Sequence, residues 1–165
     1  MTERAWIGLG ANLGEPRRMV ERALAALDEL PESRRVAASS LYATPPMGPP
    51  DQPDYINAVA AVDTQLAPQT LLEELLALET RLGRRRDPAA GERWGPRVID
   101  LDLLCYGARF RDDGFLTLPH PGIGERAFVL VPWAEIAPQA EIPGQGRVAE
   151  LLEGMETDGV ERIGG

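Results

Sequence analysis

Short apolar runs alternate with helical stripes of leucine along the first two thirds of the chain. Runs that are typical of β-strands cover residues 6–10, 34–43, 55–62 and 98–106. Between them, apolar residues three or four positions apart predict helices from residue 16 to about 30 and from 68 to 82. Pro16 and Pro68 suit a helix start, because the first turn leaves its N–H groups unpaired, and Gly83 suits a helix end. The predicted order over residues 6–106 is β-α-β-β-α-β.

This order predicts an α+β fold with a ferredoxin-like βαββαβ core, an antiparallel sheet with both helices packed on one face. Residues 107–165 form a C-terminal extension with weaker signals: a strand near Leu116, a turn at 120–122, an apolar run at 127–133 and a small helix at 148–152. We expect residues 156–165 to fray. A chain of 165 residues is ordinarily one domain, so we assign residues 1–165 to a single domain.

Charge and composition narrow the class of partner. The chain carries 17 basic and 26 acidic residues and a formal net charge of −9, which argues against non-specific binding to nucleic acid or to an anionic membrane. Its apolar runs are far shorter than the ~20 residues of a membrane span, and the N-terminus leads straight into a strand rather than a signal peptide. We therefore expect a cytoplasmic monomer that acts on small molecules.

Several chemistries are excluded by what the sequence lacks. All basic residues are arginine, and the missing lysine excludes a P-loop and Schiff-base chemistry. The single histidine, His120, excludes a multi-histidine metal site, and we expect the single cysteine, Cys105, to be a buried thiol. Residues 8–14 (GLGANLG) look like a dinucleotide-binding fingerprint, but the third glycine falls one residue late and no second βαβ half follows. We interpret them as a plain strand-to-helix turn.

Two carboxylates, Asp100 and Asp102, lie two positions apart on the last predicted core strand. Strand side chains alternate between faces, so both point the same way with their Cα atoms roughly 6.5–7 Å apart. That separation suits a pair of divalent cations, which lie about 3.5–4 Å apart in two-metal sites. A bare D-x-D pair is more often a solvated strand face, but an arginine-rich segment that can bind polyphosphate adjoins it. Its arginines are Arg81, Arg84, Arg85, Arg86, Arg93 and Arg97. The combination predicts metal-assisted phosphoryl transfer.

Six sequence blocks carry a family resemblance. They are GANLG at 10–14, YATPPMG at 42–48, DQPDYINA at 51–58, ERWGPRVIDLD at 92–102, LPHP at 118–121 and RAF at 126–128. In this order the blocks closely resemble the 6-hydroxymethyl-7,8-dihydropterin pyrophosphokinase family over about residues 6–138. The resemblance implies transfer of pyrophosphate from ATP to the hydroxymethyl oxygen of the pterin in folate biosynthesis, with AMP as the other product and two Mg²⁺ ions. It also implies a ferredoxin-like fold, in agreement with the element order.

The resemblance also implies a role for individual residues. The catalytic residues would be Arg84, Arg97, Asp100 and Asp102, of which Asp100 and Asp102 would hold the metal ions. The pterin pocket would consist of Thr44, Pro45, Met47, Tyr55, Asn57, Trp94 and Phe128. The ATP site would consist of Glu79, Arg84, Arg86, Trp94, Arg97, Leu103, Thr117, His120 and Arg126.

The chemistry of these residues agrees with the implied roles. Tyr55 and Asn57 share one strand face, so a ring for stacking and an amide with donor and acceptor stand side by side. Without the resemblance, Tyr55 and Phe128 are equally well interpreted as core aromatics. An exposed turn histidine is the alternative interpretation of His120, and we favour it less than a residue that binds phosphate. We expect the arginine-rich segment with Trp94 to close over the nucleotide as a lid that excludes water.

Some positions depart from the family pattern. Leu76 and Phe115 replace polar nucleotide contacts, Pro121 replaces an aromatic residue, and residues 87–91 lengthen the arginine-rich segment.

Two other functions are alternatives to the pyrophosphokinase. A non-catalytic nucleotide-sensing module would suit the same fold, since fold does not determine function. It has no need of the Asp100 and Asp102 pair. A different metal-dependent nucleotide transferase is the third hypothesis, and the predicted pterin pocket argues against it.

Overall fold

The computed structural model describes residues 2–45, 54–83 and 99–163. Its core elements are β1 (Glu3–Ala11), α1 (Pro16–Leu27), β2 (Ser33–Ala38), β3 (Tyr42–Thr44), β4 (Tyr55–Thr64), α2 (Pro68–Arg81) and β5 (Asp100–Tyr106). The extension adds β6 (Arg111–Asp112), β7 (Thr117–Leu118), α3 (Ala127–Ile136), β8 (Glu141–Ile142), β9 (Gly146–Arg147), α4 (Val148–Glu153) and β10 (Glu161–Arg162). Within the described ranges, every helix falls short of the length and apolar character that a membrane crossing requires.

The main sheet is antiparallel and has the strand order β10-β3-β4-β1-β5, with β2 also paired to β4. β1 therefore lies between β4 and β5. A bulge between β1 and β5 shifts the register between Trp6 and Ile7, so that Trp6 faces Cys105 while Ile7 faces Leu103. The predicted α+β fold with an antiparallel sheet is confirmed.

The sheet separates two apolar cores. On one face, the strands bury Ala5, Ile7 and Leu9 against the apolar stripes of α1 and α2. On the opposite face, Trp6, Val59 and Ala61 pack against α3 and α4. The Trp6 and Trp133 rings lie 5.4 Å apart between their centroids and connect α3 to β1. Cys105 is buried in this second core, as predicted, and burial raises the pKa of its thiol to about 12.

The prediction that both core helices pack on one face of the sheet is confirmed, and the C-terminal extension covers the other face. α1 and α2 share a face, but α3 and α4 cover the other. The physical reason is that both sets of alternate residues in the central strands are largely apolar, and apolar surface is stabilised by roughly 25 cal/mol for each Å² removed from water. The C-terminal extension therefore supplies a third layer.

The predicted strand over residues 34–43 is two strands. β2 ends at Ala38 and β3 begins at Tyr42, and both pair with β4. Ser39 stabilises the break: its N–H donates to Val59 O (2.9 Å), and its Oγ accepts from Val59 N–H (2.9 Å). The first helix also ends earlier than predicted, at Leu27, and Leu30 is buried beyond it.

Residues near the C-terminus are paired rather than frayed. β10 pairs with β3, and Ile163 N–H donates to Leu41 O (3.0 Å). The predicted strand near Leu116 forms β7, the small helix forms α4, and the apolar run forms α3. The assignment of residues 1–165 to a single domain stays a prediction.

Candidate active site

Two glycines on β1 form a bare strip on the α3 side of the sheet. The antiparallel register places Gly10 between Asn57 of β4 and Asp100 of β5, and Gly8 between Val59 and Asp102. Neighbouring strands lie about 4.8 Å apart, so Asn57 and Asp100 are separated by two strand spacings, or about 10 Å. The strip therefore forms the floor of a cleft with an amide on one side and carboxylates on the other.

The first cavity lies over this floor. It encloses about 770 Å³, including the open space at its mouth. Its walls come from the end of β3, from β4, from β5 and from the start of α3. The lining residues are Gly8, Leu9, Gly10, Thr44, Pro45, Tyr55, Asn57, Ala58, Asp100, Asp102, Arg126, Phe128 and Val129. The structure thus brings together the described residues of the predicted pterin pocket, namely Thr44, Pro45, Tyr55, Asn57 and Phe128.

Asn57 is held in one orientation across the floor. Its Nδ2 donates to Thr44 Oγ1 (2.8 Å), and both side chains are buried. A Cβ built on Gly10 would lie only 2.7 Å from Asn57 Oδ1, so no side chain fits at Gly10 while the amide keeps this position. The Thr44 bond uses one of the two amide hydrogens, and the amide has further capacity to donate and accept.

A second cavity lies along the outer edge of β5, between α2 and the segment around His120. It encloses about 800 Å³, including open space, and its lining residues are Leu72, Leu76, Glu79, Asp100, Leu101, Asp102, Leu103, Phe115, Leu116, Thr117, His120 and Pro121. Among the described residues, Asp100 and Asp102 are the two that line both cavities. The carboxylate pair therefore stands where the cavities meet.

His120 lies beside the carboxylate pair. Its backbone N–H donates to Leu104 O (2.8 Å), and its Nε2 lies 3.8 Å from Asp102 Oδ1. Its Nδ1 lies 3.0 Å from Pro121 O, and because a carbonyl only accepts, this hydrogen bond requires a proton on Nδ1. Burial lowers the pKa of His120, the Arg126 charge adds to the lowering, and the Pro121 carbonyl and Asp100 oppose it. With its proton on Nδ1, the neutral form of the ring presents an unprotonated Nε2 towards Asp102.

Glu79 of α2 supports the edge of β5. It is 1% exposed, and its Oε2 accepts a hydrogen bond from Leu101 N–H (2.7 Å). Leu101 lies between the two aspartates in sequence, so this bond ties the carboxylate pair to α2. Leu103 lines the second cavity, but its side chain belongs to the core that faces α1 and α2.

The two aspartates can hold a divalent cation only with help from other ligands. Among the described residues, no group of three or more His, Cys, Asp or Glu side chains could hold a metal ion. Mg²⁺ suits such a place, because it typically binds one or two carboxylates and completes its octahedron with water and substrate phosphates. The donor set therefore fits Mg²⁺ bound together with a polyphosphate.

The structure separates the remaining predicted site residues into three groups. Glu79, Leu103, Thr117 and His120 line the second cavity, whereas Arg126 lines the first cavity together with Phe128. Met47, Arg84, Arg86, Trp94 and Arg97 lie outside the described residues. The proposed lid falls there too.

Gly8, Gly10, Val129 and Leu72 are among the cavity-lining residues to which sequence reasoning gave no role in the site. The interpretation of residues 8–14 as a plain turn gave the first two glycines no role, although both lie within β1. Their signal was available, since glycine inside a strand often marks the close approach of a ligand.

Comparisons with known proteins agree with this geometry. The family model of 7,8-dihydro-6-hydroxymethylpterin-pyrophosphokinase matches residues 6–138. A 2-amino-4-hydroxy-6-hydroxymethyldihydropteridine pyrophosphokinase of Pseudomonas aeruginosa is 46% identical over 165 residues, covering 100% of this chain and 99% of that protein. The Methylorubrum extorquens protein with the same name is 47% identical over 160 residues, covering 97% and 98%.

Solved structures show the same fold. The HPPK-DHPS of Plasmodium falciparum has a TM-score of 0.74 at 14% identity, and the match covers 99% of this chain and 49% of that one. The chain thus spans about half the length of that two-part protein. The family match and the two full-length relatives lead to one conclusion: this chain belongs to the 7,8-dihydro-6-hydroxymethylpterin-pyrophosphokinase family.

Proposed function

We propose that the protein is an enzyme that transfers pyrophosphate from ATP to 6-hydroxymethyl-7,8-dihydropterin, giving the pterin diphosphate and AMP in folate biosynthesis. The observation that carries this proposal is that Asp100 and Asp102 line both cavities. A transfer between two bound molecules requires their reacting groups to meet, and the carboxylate pair stands at that junction. The family assignment supports the same reaction.

The pterin occupies the first cavity. A pterin is a flat heterocycle whose edge alternates donors and acceptors, and the fixed amide of Asn57 offers both. The rings of Tyr55 and Phe128 line the same cavity and supply faces for stacking. The glycine floor lets the heterocycle approach the β1 backbone. Thr44 and Pro45 close one side, and the resemblance adds Met47.

ATP occupies the second cavity. Leu72, Leu76 and Phe115 supply an apolar wall that suits the base, and Thr117 and His120 are among the polar residues of the same cavity. Phe115 and Leu76 stand where the family pattern has polar nucleotide contacts. In this chain, packing against the base replaces those contacts. Arg126, Arg84, Arg86 and Arg97, with Trp94, are assigned to the phosphates and the nucleotide from the resemblance.

Asp100 and Asp102 would hold two Mg²⁺ ions between the substrates. When bound, the ions would neutralise phosphate charge and stabilise the charge that develops in the transition state. The protein has little covalent chemistry to perform, since phosphoryl transfer depends mainly on positioning and charge. Asn57 orients the pterin, Glu79 keeps the edge of β5 in place, and the apolar wall fixes the base. The protein acts as a cytoplasmic monomer in this proposal.

The identity of the nucleotide product tests the proposed reaction. With ATP, Mg²⁺ and hydroxymethyldihydropterin, we expect AMP and pterin diphosphate in equal amounts by chromatography. Asp100→Asn and Asp102→Asn each remove one formal charge with little change of shape. Each should lower the rate on the order of a thousandfold, because transition-state charge is no longer balanced.

The matched control is Asp158→Asn, which changes an exposed aspartate that lines neither cavity. Its rate should equal that of the parent. ADP as the main product would contradict the reaction, and no product would favour a nucleotide-sensing module. An Asp100 or Asp102 variant within tenfold of the parent at saturating Mg²⁺ would contradict the metal-holding role of that residue.

Two exposed phenylalanines test the apolar wall. Phe115 (51% exposed) lines the second cavity, whereas Phe110 (69% exposed) lies near Gly144 and lines neither cavity. Loss of an aromatic ring that stacks on a base costs roughly 1–3 kcal/mol, so Phe115→Ala should raise the KM for ATP about fivefold or more. Phe110→Ala should leave it within about twofold, and Phe115→Trp should preserve it. Equal effects of the two alanine variants would show that Phe115 does not contact the base.

Gly10→Ala tests the floor of the pterin cavity. The new Cβ would displace the Asn57 amide, so the affinity for the pterin should fall roughly three- to tenfold, the usual effect of one lost hydrogen bond. ATP binding in the absence of pterin should not change. Gly154→Ala is the control, because nothing lies within 4 Å of a Cβ built there. Calorimetric titration of each variant with the pterin measures this affinity. An unchanged affinity in Gly10→Ala would exclude binding of the pterin across this strip.

A further inference from the structure

A hydrogen-bonded cluster of Ser40, Tyr42 and Glu135 joins α3 to β3. Glu135 Oε1 accepts from Tyr42 OH (2.7 Å) and from Ser40 N–H (3.0 Å), while Oε2 accepts from Ser40 Oγ (2.9 Å) and from the same N–H (3.1 Å). Tyr42 is buried, whereas Glu135 is at the surface. We call these three residues the Glu135 cluster.

The Glu135 cluster lines neither cavity, but it connects two walls of the first one. β3 carries Tyr42 and, on the same face two residues later, Thr44. α3 carries Phe128 near its start and Glu135 seven positions later, about two helical turns, so both side chains lie on similar sides of the helix. The separation of the Thr44 wall from the Phe128 wall therefore depends on how α3 sits against β3.

The other contacts of α3 are apolar, and such contacts do little to fix the position of the helix relative to β3. Val129, Leu130 and Trp133 pack in the second core against the sheet, and apolar burial is non-directional. The buried indole nitrogen of Trp133 has no hydrogen-bond partner among the described residues, so it adds no direction either. The directional hydrogen bonds of the Glu135 cluster therefore determine the position of α3 along β3.

The protonation states of the cluster suit this contact. Burial, and after it the hydrogen bond to Glu135, raises the pKa of Tyr42 to about 12, so the hydroxyl is a neutral donor near pH 7. Burial alone would raise the pKa of Glu135, but the hydrogen bonds from Tyr42 and Ser40, with the Arg162 charge on β10, bring it below its ordinary value. A charged acceptor therefore faces neutral donors, which is the stronger kind of hydrogen bond.

We propose that Glu135 is a positioning residue for the pterin: by holding α3 against β3 through Tyr42 and Ser40, it sets the width of the first cavity. This inference rests on the proposed function of that cavity. A flat heterocycle between Tyr55 and Phe128 needs a narrow gap, because a separation of about 0.5–1 Å beyond contact already forfeits roughly a quarter to a half of the attraction between the faces. The second cavity has no wall from α3 or β3 among its lining residues.

The test compares two buried tyrosines on opposite faces of the sheet. Tyr42 OH donates to Glu135, and Tyr106 OH donates to Leu66 O in the core below α1 and α2. Tyr42→Phe and Tyr106→Phe each delete one hydroxyl and keep the ring. We expect Tyr42→Phe to raise the KM and the calorimetric Kd for the pterin roughly three- to tenfold, the usual effect of one hydrogen bond. The KM for ATP and the kcat at saturating pterin should stay within about twofold.

Tyr106→Phe should leave the pterin KM and Kd unchanged, even if it lowers the melting temperature as much as Tyr42→Phe does. Glu135→Ala should match Tyr42→Phe or exceed it, Glu135→Gln should lose less because it keeps one acceptor oxygen, and Tyr42→Phe with Glu135→Ala should be less than additive.

The positioning role would be overturned if Tyr42→Phe and Tyr106→Phe changed the KM and Kd for the pterin equally. It would also be overturned if Tyr42→Phe changed the constants for the pterin and for ATP equally. A parent protein that forms AMP and pterin diphosphate while the Tyr42 variant behaves like the parent would overturn this inference alone. A parent protein that binds no pterin would overturn both it and the proposed function.

Discussion

Antiparallel pairing of β1 with both β4 and β5 is the constraint on which the site depends. The register sets Asn57 and Asp100 on the two sides of Gly10, and it sets Asp102 beside Gly8. A slip of one residue would turn the carboxylates or the amide to the opposite face, where the core of α1 and α2 lies. Because glycine leaves the intervening strand bare, groups on two non-adjacent strands can act on one ligand without a side chain between them.

The two faces of the sheet divide the work of the protein. The face below α1 and α2 is apolar along its length and supports the strands, whereas the face below α3 is apolar at one end and polar at the other. At the apolar end, Trp133 packs α3 against the sheet. At the polar end lies the cleft, and Phe128 at the start of α3 forms part of its wall. On the remaining edge of the sheet, Glu79 binds the backbone of β5 between the aspartates, so the carboxylate pair is supported from the opposite core as well.

Periodicity predicted the βαββαβ core and the common face of Asp100 and Asp102, because alternation within a strand is a local property. The division of residues 34–43 into β2 and β3 depends on Ser39 bonding to Val59 and on Ser40 bonding to Glu135. Those partners lie far away in sequence, so no local pattern shows them. The position of α3 and α4 on the second face of the sheet could not be predicted for a related reason: an apolar strand does not reveal what covers its second face. Arg126 was assigned to ATP, but as the residue before α3 it lines the first cavity. Glu79 is a predicted ATP residue. Its hydrogen bond to the backbone of β5 could not be predicted, because that bond depends on how α2 packs against the strand.

The central claim is that metal ions held by Asp100 and Asp102 lie in the same cleft as the heterocycle held by Asn57. Mn²⁺ in place of Mg²⁺ measures this directly, through its effect on the relaxation of pterin protons in a complex with a non-hydrolysable ATP analogue. Two strand spacings separate the amide from the carboxylates, so we expect strong enhancement that corresponds to about 10 Å or less. The enhancement should disappear in the Asp100→Asn and Asp102→Asn variants while the pterin stays bound. Relaxation that is unaffected by Mn²⁺ in the parent protein would show that the metal ions and the pterin occupy separate sites.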